Sequence, residues 1–148
     1  MKAISLLLLL CMVVSCQEST AKKNETLKIG QKEVAIQSPL EESIARGEEV
    51  YNDFCKQCHL PNGKGVKNIY PPLANSDWLK EKRKESIHAV KYGLQGEIEV
   101  NGQTYSNIMM PMGLEDQEVA DVMNYTMNSW GNTQERMVTK EEVAGVEK

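Results

Sequence analysis

The sequence predicts a small all-α domain interrupted by one short β-hairpin. An apolar stripe of period three to four begins after Ser38, and a second covers residues 116–130. Between them an Asn101-Gly102 pair separates two alternating segments. At 148 residues the chain has room for one modest domain. Its single Phe and eight Met make a thin core for that length, one that a large apolar cofactor would help to fill. With 17 basic against 21 acidic side chains and no basic block, nucleic acid is a poor candidate partner.

The first residues, MKAISLLLLLCMVVSC, have the pattern of a targeting segment. Lys2 supplies the positive charge, and Ile4 to Val14 form an apolar run too short to span a bilayer comfortably. The run closes on Ser15-Cys16, a small residue before a cysteine, which resembles the lipobox of bacterial lipoproteins. That pattern implies a signal peptide over 1–15, a lipid on Cys16 and export. Residues 16–37 are polar and lysine-rich and are expected to be a tether. The domain proper is expected over 38–148.

Within the domain, Ser38, Pro39 and Glu41 form a helix start with a capping box, and Leu40, Ile44, Gly47, Tyr51 and Phe54 make the first apolar stripe. A Gly- and Pro-rich loop leads to a second helix expected over Trp78–Tyr92. The hairpin is expected at about residues 97–106, with Ile98 and Val100 on one arm and Tyr105 on the other. The helix over 116–130 carries Val119, Val122, Met123, Thr126 and Trp130, and Gly131-Asn132 ends it. Thr139 and Glu142 open a short terminal helix.

The chemistry is concentrated in DFCKQCHLPNGKG, residues 53–65. With Cys11 in the signal and Cys16 lipidated, Cys55 and Cys58 are the cysteines left, too few for a disulfide scaffold. A redox CxxC needs no adjacent histidine and sits at a strand-to-helix turn, whereas this one comes after a helix. Zinc would need a fourth ligand, and none is evident. Covalent haem explains all three residues: the thiols of Cys55 and Cys58 add to the two vinyl groups, and His59 is carried beneath the ring to the iron.

With that motif the chain resembles a class I (mitochondrial-type) monohaem cytochrome c of bacteria over roughly residues 40–146. Gly47 and Tyr51, eight and four residues before Cys55, match the family's helix-crossing positions, and Val122 and Tyr125 match the positions that cross them. The resemblance implies a small cytochrome c fold around one covalent haem. It implies that Pro71, or adjacent Pro72, accepts a hydrogen bond from the His59 imidazole, and that Leu73 and Trp78 line the haem pocket. It takes the sixth ligand from a Met-Pro pair, which here is Met110-Pro111; Met109 and Met112 are the alternatives. His88, inside a helix, is expected to face solvent. Glu115, where many relatives have Ser or Thr, is a poorer helix cap.

The function implied is that of a one-electron carrier, not an enzyme, with His59 and Met110 on the iron and a lipid anchor at a bacterial membrane, facing the periplasm or cell exterior. The run GLQGEIEVNGQTYSNIMMP looks like cytochromes associated with respiratory oxidases and periplasmic dehydrogenases. The alternative is therefore an electron-entry subunit of such an oxidase, reductase or dehydrogenase. Redox partner proteins are implied either way, with Lys56, Lys64 and Lys67 as a partial basic ring at the docking edge.

Overall fold

The computed structural model describes residues 37–134 and 136–148. The expected signal peptide over 1–15, the lipid site at Cys16 and all of the tether but Gln37 lie outside the described residues.

Helix α1 runs Pro39–Val50. Ser38 Oγ accepts the Glu41 N–H at 3.3 Å, and the Glu41 carboxylate returns the bond to the Ser38 N–H at 2.7 Å, so the capping box forms in full. The helix then widens into a π-turn over Tyr51–Cys55 before α2, Lys56–His59. This alters one expectation. The wider turn rotates the residues beyond Tyr51 out of register, so Tyr51 stays fully buried while Phe54 leaves the stripe and is 46% exposed.

The helix expected over Trp78–Tyr92 is broken at Lys82 (φ −115°, ψ 51°) into α3, Asp77–Glu81, and α4, Arg83–Tyr92. The turn leaves Arg83 free to reach the C-terminal segment, where its guanidinium donates twice to Glu142, at 2.7 and 2.8 Å. The hairpin pairs β1, Ile98–Val100, with β2, Gln103–Tyr105, in antiparallel register, Ile98 opposite Tyr105. Asn101 and Gly102 both take positive φ, as a two-residue hairpin turn of this twist requires.

Helix α5 covers Asp116–Thr126, shorter than expected. Trp130 lies beyond its end at φ +51°, so it departs from the helical face and packs half-buried against Tyr51 and Tyr125. The Glu118 carboxylate accepts the Glu115 N–H at 2.8 Å, which gives α5 an anchored start without Ser or Thr. Helix α6, Lys140–Ala144, starts at Thr139, whose hydroxyl accepts the Glu142 N–H at 3.2 Å. Leu79, Ile87, Val119, Met123, Val138 and Val143 build the core between α3, α4, α5 and the C-terminal segment.

The crossing of α1 and α5 organises the rest. A Cβ at Gly47 would overlap the Asp121 carbonyl oxygen and stand 2.9 Å from Tyr125 Cβ, so only glycine permits this approach. The buried Asp121 carboxylate bridges the two helices. It accepts from Ser43 Oγ at 2.6 Å, from Arg46 at 2.7 and 2.8 Å, and from Gln117 at 3.0 Å. Asn124 extends the network to Ser43 and to the Val138 carbonyl, each at 2.8 Å.

Burial works against ionising Asp121, but the bonds from Arg46, Ser43 and Gln117 outweigh it and hold the carboxyl below the usual range. A carboxyl depressed in the folded state stabilises above its unfolded pKa, about 4, and that contribution disappears as pH falls through the lower folded value. We predict that Asp121→Asn lowers stability at neutral pH by about 1–3 kcal/mol and flattens its dependence on pH below about 4. Guanidinium titrations of the two proteins at several pH values check this.

Candidate functional site

The π-turn, α2 and the loop behind them form one wall of a cleft. Tyr51, fixed at the helix crossing, donates its hydroxyl to the Leu60 carbonyl at 2.7 Å and so ties the end of α2 to α1. Its ring packs 5.4 Å from that of Tyr125 and 4.9 Å from that of Trp130. Trp130 in turn covers Gly63, where a Cβ would come 2.7 Å from the indole Cδ2. The CxxCH segment is thereby held from both sides.

The surface of the cleft is almost wholly apolar. Cys55, His59, Pro71, Pro72 and Leu73 supply one part of its lining. Trp78, Ala89, Val90 and Leu94 supply another, with Ile98 and Val100 from the hairpin and Val122, Met123 and Thr126 from α5. A cleft lined mainly by hydrocarbon with few polar groups is the kind that suits a flat apolar cofactor.

His59 is 8% exposed. Its Nδ1 stands 3.0 Å from the Pro71 carbonyl oxygen, so Pro71, not Pro72, occupies the acceptor position. A carbonyl only accepts, which makes Nδ1 the protonated nitrogen and leaves Nε2 with a bare lone pair. Burial pushes the imidazole pKa down, partly opposed by the Pro71 bond, and so favours the neutral form, the one that binds metals. Cys55 and Cys58 are half-buried and not joined to each other in a disulfide. Burial, reinforced by neighbouring Cys58, pushes the Cys55 thiol up to about 11, the opposite of a reactive redox thiolate.

The methionine cluster departs from the sequence expectation. Met109 lines the cleft, whereas Met110 is 63% exposed and does not. The cause is a bridge to the end of α4: the Leu94 N–H donates to the Met109 carbonyl at 2.8 Å, and the Met109 N–H donates back at 2.9 Å. In extended backbone neighbouring side chains face opposite sides, so seating Met109 in the cleft sends Met110 to solvent. Gly93, at φ +85°, admits this strand closely; a Cβ there would be 2.7 Å from the Met109 carbonyl oxygen and 2.9 Å from Pro111 Cδ. The Met-Pro pair is the local signal in the sequence. The deciding contact, with Leu94, is distant in sequence and leaves no local mark.

His88 does not line the cleft; it is half-buried against Tyr92, ring centroids 5.2 Å apart. Among the described residues no group of three or more His, Cys, Asp or Glu side chains gathers to hold a metal ion. A neutral imidazole with a bare nitrogen, a thioether in the same apolar cleft and two thiols at CxxC spacing fit a covalently held haem.

The comparisons with known proteins decide the family. The model of the cytochrome c family matches residues 44–130. The chain belongs to the cytochrome c family. It is 38% identical over 93 residues to cytochrome c-552 of Thermus thermophilus, covering 60% of this chain and 70% of that protein. It is 36% identical over 90 residues, 58% of this chain, to the cytochrome c subunit of the quinone alcohol dehydrogenase of Gluconobacter oxydans. It is 35% identical over 111 residues, 69% of this chain, to the gluconate 2-dehydrogenase cytochrome c subunit of Pantoea cypripedii. These matches span 18% and 24% of the two dehydrogenase subunits.

This is a class I monohaem cytochrome c, with one haem c and its iron attached through the CxxCH motif. It carries electrons. Tyr51→Phe, which removes the hydroxyl tying α1 to the end of α2, is predicted to cost about 1 kcal/mol of stability and to raise hydrogen-exchange rates at Leu60 and Gly63. Denaturant titration and amide exchange of the holoprotein measure both.

Proposed function

We propose that this cytochrome is a one-electron carrier whose iron is held by His59 and Met109, anchored to a bacterial membrane by a lipid on Cys16 and facing the periplasm or cell exterior. The observation that carries the ligand assignment is the seating of Met109 in the same apolar cleft as His59, with Met110 turned to solvent. Met109 thus takes the role expected of Met110. Cys55 and Cys58 would hold the haem edge, Pro71 would orient the imidazole, and Leu73 and Trp78 would exclude water.

Bound there, the iron supplies reversible one-electron chemistry. Met109 would supply a soft sulfur donor and His59 a nitrogen donor, a pair that would favour the ferrous state, and the apolar enclosure would favour it further. Met109 is tied through its own backbone and His59 through Pro71, so neither ligand needs to move between oxidation states. Anchoring and export rest on the lysine, apolar run and Ser15-Cys16 of the first residues. Among the described residues no helix is long and apolar enough to cross a membrane.

A second reading has its own support. Two of the relatives are named as cytochrome c subunits of dehydrogenases, so this domain would be the electron-entry subunit of a respiratory oxidase, reductase or periplasmic dehydrogenase, with catalysis in a partner. Purification from membranes separates the two readings: a stoichiometric enzyme partner favours the subunit, and a partner-free cytochrome the diffusing carrier.

The ligand proposal predicts that Met109→Ala abolishes the sulfur-to-ferric-iron absorption band of the oxidised protein, while Met110→Ala keeps it. The reverse pattern would restore Met110 to the iron.

A further inference from the structure

The loop between His59 and Leu73 contains one residue whose contacts converge on the iron-binding imidazole. Gly65 has φ +59°, and its N–H donates to the His59 carbonyl at 3.0 Å. A Cβ at this position would overlap the Tyr70 carbonyl oxygen, and it would stand 2.6 Å from the Pro71 oxygen and 2.8 Å from the Pro71 carbonyl carbon. That Pro71 oxygen is the atom 3.0 Å from His59 Nδ1. Gly65 therefore touches the backbone of the ligand on one side and leaves room for the ligand's hydrogen-bond acceptor on the other.

The rest of the loop allows little escape from such a clash. Val66 and Tyr70 pair in both directions, at 2.9 and 2.8 Å, and close the turn that returns the chain toward His59. Beyond it, the Leu73 and Ala74 N–H groups both donate to the Gly63 carbonyl, at 2.7 and 2.9 Å. Pro71 is thus pinned between two clamps. A side chain at residue 65 would press on the Tyr70 and Pro71 carbonyls together, and Pro71, held by both clamps, could yield only by shifting its oxygen.

We propose that Gly65 is a positioning residue that keeps the Pro71 carbonyl on His59 Nδ1 and so sets the electron-donor strength of His59 toward the iron. The proposal rests on His59 as an iron ligand. A hydrogen bond accepted from Nδ1–H makes the imidazole more electron-rich, which stabilises ferric iron relative to ferrous. Displacing the acceptor removes that bias, so the potential must rise.

The test is spectroelectrochemical titration of the Gly65→Ala holoprotein, with Thr139→Ala, which removes the α6 cap without changing charge or the cleft lining, as the control for general loosening. The ferrous-to-ferric ratio at fixed poise should rise severalfold in Gly65→Ala and stay at the wild-type value in Thr139→Ala. An unchanged ratio in Gly65→Ala, or an equal rise in both variants, overturns the proposal. If Gly65→Ala does not mature, hydrogen exchange in the wild-type ferrous holoprotein replaces it. The Gly65 amide and the His59 Nδ1 proton should then open with one common free energy, and independent opening overturns the proposal. Absence of histidine ligation in the wild-type spectrum would instead refute the ligand assignment beneath it.

Discussion

At Gly47 the backbone of α1 lies against the Asp121 carbonyl of α5 with no room between them for a side chain. Other features of the site depend on that approach. It brings Tyr51 of the first helix between Tyr125 and Trp130, and it places Ser43 and Arg46 where the buried Asp121 carboxylate can accept from both. The Tyr51 hydroxyl then fixes Leu60, at the far end of the CxxCH turn. One missing methyl group thus sets where the two thiols and the imidazole stand. The neighbouring charge network makes the crossing specific and also sensitive to acid.

Two tethers of different kinds hold the residues that face the cleft. His59 is oriented through its side chain, by a carbonyl that a tight loop brings to Nδ1. Met109 is oriented through its backbone, by a two-way bridge to Leu94 with Gly93 beside it. Neither arrangement depends on surface charge: the Nδ1 contact orients the imidazole, and the backbone bridge fixes where the Met109 side chain begins. For an electron carrier this matters physically, because the less the surroundings rearrange between oxidation states, the less the transfer has to wait for them.

Local signals in the sequence are readable where local chemistry decides the outcome. The Ser38–Glu41 box, the Asn101-Gly102 turn and the CxxCH spacing each act over a few residues, and each forms as expected. Gly47 is legible because its spacing from Cys55 matches a known helix crossing. Three features are not legible. The π-turn that exposes Phe54 has no local mark in the sequence, and the Tyr51 ring at its start packs on Tyr125 and Trp130, far along the chain. The break at Lys82 accompanies the pull of Arg83 toward Glu142, a partner distant in sequence. Adjacent methionines have the same local pattern, and only the pairing with Leu94 tells which one turns inward.

Everything proposed for the iron turns on His59 and Met109 flanking it in one apolar cleft. The most direct test is proton NMR of the reduced holoprotein carrying isotope-labelled methionine methyl groups. A methyl bound at the iron lies over the haem ring and is shifted far upfield by the ring current. With Met109 on the iron, this resonance disappears from its position in Met109→Leu and persists in Met110→Leu. An upfield methyl that belongs to Met110 would contradict the assignment.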